Sequence, residues 1–398
     1  MDKKYLKDIK SNIWKYYLFE ALWSLMFFFP IFQLFYLARG LTITQIAFLG
    51  VAFSIARVIA EMPSGILADR WGRKKTLFLS QSFFLIDVII LIFFQSFWMF
   101  MIAAVFSGLW IAFYSGTANA FLYDTLKELK REKEFEKISG KLYFFTGGII
   151  SFVAAFFAGF LFNISITLPY ILTAISIFLS LMVITSFTEP RVHKQGRESL
   201  FIHFKESLMK IVKNEYLGFI VIFGTVLLFG LEYLFHYGQI YLKSLSVPVV
   251  LFGVIFGLKG LMEGGGGFFA DKIKNRFSYR GIFTFVLLFS LIIIFGLSYL
   301  NNYIGVFVFL LSFFIMGLFR IIQLGYIHKR IESHNRATVN SMISFLIAFI
   351  MIIFEPIAGK IADLYSIRLS FFILGCILLL YSVYFFIVKF PKKKLFFD

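Results

Sequence analysis

Apolar runs of about twenty residues or more, separated mostly by short polar turns, recur along the chain from residue 12 to residue 389. A helix needs about 20 mainly apolar residues to cross a bilayer. On that measure the pattern predicts twelve spans, at 12–37, 43–69, 76–96, 98–126, 139–163, 167–187, 216–242, 248–271, 281–299, 302–328, 338–362 and 367–389. Several exceed the minimum length, which predicts tilt or extension past the bilayer. One long polar segment, Thr188–Glu215, interrupts the series after the sixth span. The chain therefore divides into a six-span bundle at 1–187, a linker at 188–215 and a second six-span bundle at 216–398. Within the linker, Phe201, Phe204, Leu208, Ile211 and Val212 recur at helical spacing with Lys205, Lys210 and Lys213 between them. That predicts an amphipathic helix, either joining the halves or lying on the membrane surface.

The basic residues orient the spans. Lys3, Lys4, Lys7, Lys10 and Lys15, then Arg70, Arg73, Lys74 and Lys75, fall on one side. The segments Lys127–Lys141, Arg191–Lys213 and Lys272–Arg280, the residues Lys329, Arg330 and Arg336, and the tail from Lys389 fall on the same side. Arg39, Lys243 and Arg368 are what the other side carries. Lys and Arg collect on the cytoplasmic face of membrane proteins. Both termini are predicted to be cytoplasmic, in a multi-pass protein of the cell (inner) membrane.

Composition agrees. The 398 residues are 60% hydrophobic and 15% charged, where a soluble domain carries about 25% charged residues. The net charge of +17 is spread over inter-span clusters rather than gathered on one basic domain, which argues against nucleic acid as a partner. Cys376 is the single cysteine, so an internal disulfide and a cysteine metal cluster are both excluded.

The stretch GILADRWGRKK, Gly65–Lys75, closes the second span, and part of it returns in the second half. Aligning FSIARVIAEMPSGILADR with FGLKGLMEGGGGFFADKI places Arg57 on Lys259, Glu61 on Glu263, Gly65 on Gly267, Ala68 on Ala270 and Asp69 on Asp271. One offset serves all five pairs. The halves read as parallel repeats related by an axis along the membrane normal.

EMPSGILADRWGRKKTL resembles the signature turn between spans two and three of the major facilitator superfamily, through Gly65, Leu67, Asp69, Arg70, Gly72, Arg73 and Lys74. ANAFLYDTLKE, at the end of span four, is similar to a segment of bacterial members resembling multidrug exporters. The resemblance covers the chain and implies the major facilitator fold: an all-α membrane protein with twelve transmembrane helices in two pseudo-symmetric six-helix bundles. It implies that Asp69 meets the start of span eleven, near Arg336–Thr338, and that Arg73 bridges Asp69 and Asp124. Gly65, which lacks a side chain, is expected to let another helix approach closely. Gly65, Asp69, Arg70, Gly72, Arg73 and Asp124 would form a latch that stabilises the state closed to the cytoplasm.

An ionisable residue within a span costs about 2.5–3.5 kcal/mol on insertion scales and needs a partner or a role. Glu20 in span one, Glu232 in span seven and Arg320 in span ten lie on helices that, by the resemblance, line the central cavity. Glu20 and Glu232 are candidates for substrate or proton binding; the alternative is an ion pair, for instance Glu232 with Arg320. Gln33, Tyr114, Asn119 and Gln323 are candidate ligand hydrogen-bonding groups or helix-to-helix glue. Arg57–Glu61 and Lys259–Glu263 are base-then-acid pairs at i,i+4, one in each half. Asp87 has no assigned role. Glu355–Pro356 marks a kink, and His236 reads as a packed or hydrogen-bonded histidine or as a proton relay.

Catalytic signatures are missing: there is no phosphate-binding G-x-x-x-x-G-K-[ST] loop, no H-E-x-x-H and no G-x-S-x-G. Ser207–Lys210 reads S-x-x-K but lies in the linker. No enzyme, cofactor or metal site is implied. The expectation is a monomeric secondary transporter that takes a small-molecule substrate and a coupling proton across the lipid bilayer, expelling drug-like or amphipathic compounds. A sugar, nutrient or metabolite carrier is the alternative on the same fold, and a non-transporting membrane receptor a third reading. Two exporter features are missing, a Gly-Pro motif in span five and an arginine in span four, which leaves proton antiport open.

Overall fold

The structure, a computed structural model, describes residues 3–191, 215–330 and 333–391. The amphipathic helix expected in the linker, from Phe201 to Lys213, lies outside them. Among the described residues the regular elements are helical. Long apolar runs with no alternation leave no other way to satisfy the backbone in lipid.

The first unit comprises Met1–Leu41, Gln45–Arg197 and Val249–Val254. Its helices are α1 (Lys3–Trp23), α2 (Phe32–Ala38), all but the first two residues of α3 (Ile43–Trp71), α4 (Arg73–Phe93), α5 (Phe97–Glu128), α6 (Phe135–Tyr143), α7 (Ser151–Ile164) and α8 (Leu168–Thr185). A π-helical stretch, Phe144–Ile150, joins α6 to α7. The second unit comprises Thr42–Thr44, Glu198–Pro248 and Ile255–Asp398. It holds α9 (Glu215–Ser244), most of α10 (Val250–Arg276), α11 (Tyr279–Tyr299), α12 (Ile304–Arg330), α13 (Ser333–Leu364) and α14 (Ile367–Tyr384).

Eleven helical stretches among the described residues are long and apolar enough to cross a membrane, and Phe29–Ala38 is a shorter apolar helix. The departure from twelve continuous spans is in the first. The helix predicted over 12–37 breaks after Trp23 and resumes as a short 3-10 turn, Phe29–Ile31, followed by α2. Pro30 is the cause: it has no N–H and disfavours helix before it. Neighbouring side chains satisfy the freed backbone groups. Thr173 Oγ1 accepts from Phe27 N (3.1 Å), and Ser176 Oγ donates to Leu22 O (2.5 Å).

The core of the first unit, near the basic end of the helices, contains Tyr16, Phe19, Leu77, Phe121, Leu126, Ile184 and Phe187. In the second unit, glycines set the closest helix approach. A Cβ on Gly266 of α10 would strike the Phe314 carbonyl, and one on Gly317 of α12 would strike the Glu263 carbonyl. Contact of backbone with backbone through small residues is the usual way membrane helices pack tightly. Among the described residues nothing lies within 4 Å of the Cβ that Gly65 lacks. In the first unit a close backbone approach is made by Gly108 of α5, packed on the Phe53 carbonyl of α3.

Candidate functional site

The break in the first span falls next to a buried acid. Glu20, in the last turn of α1, is 6% exposed. The Tyr114 hydroxyl of α5 lies 2.7 Å from both carboxylate oxygens and donates to them. Tyr16 lies one turn earlier on α1, close to the same carboxylate. The surroundings are aromatic. Trp23 stacks on Tyr114 at 4.8 Å with the planes 6° apart, and Trp110 stacks on Phe84 at 3.8 Å. The indole N–H groups of Trp23 and Trp110 have no acceptor among the described residues. Among the described residues, none forms an ion pair with Glu20. A carboxylate beside ring faces is a site for a cation or a proton.

At the basic end of this unit, Arg73 reaches two acids. Its Nη2 lies 2.8 Å from Asp69 Oδ1 and its Nε 3.4 Å from Asp124 Oδ2. Gly72 enables the turn, with φ of +102°, a conformation that costs other residues more. Arg70 is exposed. Whether Asp69 also meets the start of span eleven lies outside the described side chains, because Arg336–Thr338 are among those not described.

Glu189 completes the turn, and nothing in its local sequence marks it. Its carboxylate accepts from the backbone N–H of Arg73 (2.6 Å) and of Lys74 (2.8 Å), the first two residues of α4. It thus supplies an N-cap with full negative charge at the positive end of the helix. The space above Gly72 is filled by this carboxylate, so a Cβ there would clash with it. The chain leading to Glu189 is pinned nearby. Asn12 exchanges two hydrogen bonds with the Thr188 backbone, and Lys74 Nζ donates to the Thr185 and Phe187 carbonyls. Glu128 takes hydrogen bonds from the Tyr5 hydroxyl (2.9 Å) and the Arg191 N–H (2.6 Å). Burial and the neighbouring Glu128 push the Tyr5 hydroxyl up to about 12.

The second unit holds a separate charge network. Arg320 of α12 donates to Glu232 of α9 and to Glu263 of α10, each at 2.9 Å. Lys259 lies 3.5 Å from the other oxygen of Glu263 and sits over the Phe235 ring at 4.3 Å. The glycine contact explains the alignment: Gly317 and Arg320 are one turn apart on α12, and Glu263 and Gly266 one turn apart on α10. His236 of α9 is hydrogen-bonded at Nδ1 to Glu355 of α13, 2.8 Å away. Gln323 is buried against Gly224, and its amide nitrogen has no partner among the described residues. Gln33 is buried in α2, and Asn119 is exposed on α5.

The repeat predicts matching ion pairs, and the two halves differ here. Lys259 and Glu263 pair, whereas Arg57 and Glu61 are exposed and form no ion pair among the described residues. The i,i+4 spacing allows the contact, but exposed charges gain too little to be held together. Lys259 and Glu263 are drawn in by Arg320 and the aromatic rings.

The Major Facilitator Superfamily pattern matches residues 18–355. The chain belongs to this superfamily. It is a multi-pass membrane transporter and not an enzyme. It is 28% identical over 254 residues to the uncharacterized MFS-type transporter YxaM of Bacillus subtilis (strain 168), a match that spans 62% of this chain and 62% of the relative. In fold it is similar to the crystal structure of the nucleoside transporter NupG (TM-score 0.70, 15% identity, 97% of this chain and 98% of that one). It is similar too to a bacterial homolog of the human lysosomal transporter Spinster (TM-score 0.73, 14% identity, 97% of each chain). A D-xylose-proton symporter matches at TM-score 0.63 and 13% identity, over 96% of this chain and 98% of that one.

Proposed function

We propose that this chain is a proton-coupled efflux transporter for small amphipathic cations, working by alternating access as a monomer. It crosses the inner membrane twelve times, the broken helix of α1 and α2 supplying the first crossing, with both termini cytoplasmic. Residues 1–187 and 216–398 are the two six-helix halves and 188–215 the linker. Asp69, Arg73 and Asp124 act as the latch that favours the state closed to the cytoplasm.

The observation that carries the reading is Glu20. It is an acid inside a span, held by the Tyr114 hydroxyl and surrounded by ring stacks, with no base paired to it among the described residues. Such a site offers a substrate cation charge compensation and aromatic faces together. The test is binding of tetraphenylphosphonium to the purified protein. Glu20→Gln keeps the shape and removes the charge, and should weaken binding at least about tenfold, the equivalent of about 1.4 kcal/mol. Unchanged affinity would remove Glu20 from the site.

The indole N–H groups of Trp23 and Trp110, without an acceptor among the described residues, favour a second reading. They suit a ligand rich in acceptor oxygens, as in a nucleoside or sugar carrier. Competition of nucleosides and xylose against tetraphenylphosphonium separates the two.

A further inference from the structure

The charges of the network around Arg320 and His236 do not balance among themselves. Glu232, Glu263 and Glu355 are three carboxylates, against two permanent cations, Lys259 and Arg320. Arg320 and Lys259 are engaged with Glu232 and Glu263. Glu355 is left with His236 alone as its charge partner among the described residues. Its side chain is 6% exposed and that of His236 is 46% exposed. An ionised carboxylate at that depth is costly without a compensating charge. A histidine can supply or withdraw that charge near neutral pH.

We propose that the His236–Glu355 pair is a proton-binding site of the carrier, loaded as imidazolium–carboxylate and emptied by loss of one proton from the imidazole. The inference rests on the proton-coupled reading above and adds where a proton sits. An ionised Glu355 can only accept, so Nδ1 donates across the 2.8 Å contact. The exchangeable proton is then carried at Nε2, and no bond between heavy atoms changes when it leaves. The groups facing the pair have been placed by their elements. From α9 these are Glu232, Tyr233 and Tyr237; from α10, Lys259; and from α13, Glu355 itself, with Asp363 farther along the helix toward Tyr237. Arg320 of α12 acts through its bonds to Glu232 and Glu263. Of the facing charges, Glu232 and Lys259 are of opposite sign.

The site is also placed to move a helix. Pro356 follows Glu355 inside α13 and removes one backbone hydrogen bond there. Unloading the histidine leaves a buried, uncompensated carboxylate at the point where α13 is weakest. A bend at Pro356 that carries Glu355 toward water relieves that cost.

The experiment uses full-length wild type, His236→Gln and Glu355→Gln in liposomes, with tetraphenylphosphonium as the probe, in two modes. One mode is uptake driven by an imposed pH gradient. The other is counterflow at equal pH, which exchanges probe without net proton movement. Both variants should keep counterflow within about twofold of wild type and lose gradient-driven uptake at least about tenfold. Gradient-driven uptake that survives in either variant, in wild-type proportion to counterflow, overturns the site. A wild type with neither mode overturns the proposed function instead. Where a variant loses both modes, ring NMR of wild-type His236, assigned by its absence in His236→Gln, decides: a ring whose charge does not change between about pH 5 and 9 overturns the proposal, and one that does supports it.

Discussion

Removing the Glu189 carboxylate should loosen the start of α4 and leave the remainder of the first unit intact. Its two hydrogen bonds, at 2.6 and 2.8 Å to the N–H groups of Arg73 and Lys74, are charge-assisted. Such bonds contribute about 1.5–3 kcal/mol each, and losing an N-cap costs about 0.5–2 kcal/mol. Water can replace part of both here, so about 2 kcal/mol is expected for Glu189→Ala. Glu189→Gln, which still accepts one bond, should lose about half of that. The assay is hydrogen exchange of the peptide spanning residues 70–80 in detergent. About 2 kcal/mol of local opening energy corresponds to about thirtyfold faster exchange at the protected amides. The start of α5, whose N-cap Ser96 makes no side-chain capping bond, is the internal control and should not change. Exchange within about twofold of wild type at residues 73–76 would refute the capping argument. It would also leave the packing of Glu189 over Gly72 without an energetic role.

Arg320→Met removes the cation that joins Glu232 to Glu263 and leaves Lys259 as the remaining base beside Glu263. Breaking a fully buried pair costs about 3–5 kcal/mol, and because the Arg320 side chain is 43% exposed about 1–3 kcal/mol is expected, read as a lower unfolding midpoint in detergent and partly restored by adding Glu263→Gln. Gly317→Ala puts a Cβ onto the Glu263 carbonyl and should destabilise by about 1–3 kcal/mol. Gly65→Ala, with nothing among the described residues within 4 Å of the new Cβ, should be neutral or stabilising by up to about 1 kcal/mol; equal effects at the two sites would contradict the packing assigned to them. Tyr5 has a folded-state value raised from 10.0 to about 12. Its contribution to stability is full below pH 10 and is lost as pH rises toward 12, so Tyr5→Phe should reduce the fall in the thermal midpoint across that window. An identical fall in both proteins would show that the Tyr5 hydroxyl contributes nothing to it.

The membrane-crossing pattern is legible in sequence because lipid imposes a length and permits only satisfied backbones. The break in the first span is less so. Pro30 is visible, but a proline inside a long apolar run can equally leave a kinked, continuous helix, and Thr173 and Ser176, which satisfy the opening, come from a helix some 150 residues away in the chain. Glu20 is conspicuous as an acid in an apolar run, whereas its partner Tyr114 is 94 residues distant. For Glu232 and Arg320 the sequence allows cavity groups or an ion pair, and the geometry is that of a pair joined by Glu263. Glu189 reads as an ordinary acid in a polar linker, since a cap formed across 116 residues leaves no local pattern. His236 and Glu355 are 119 residues apart, so neither residue's neighbours reveal the other. Arg57–Glu61 fails in the opposite way: its spacing permits a contact that exposed side chains have no reason to keep.

Flux through the purified protein in sealed liposomes tests the central claim most directly. With an imposed pH gradient, labelled tetraphenylphosphonium should accumulate against its own gradient, and the accumulation should collapse when a protonophore dissipates the pH difference. Liposomes that show no protein-dependent flux of tetraphenylphosphonium, nucleosides or xylose under any imposed ion gradient would contradict the account.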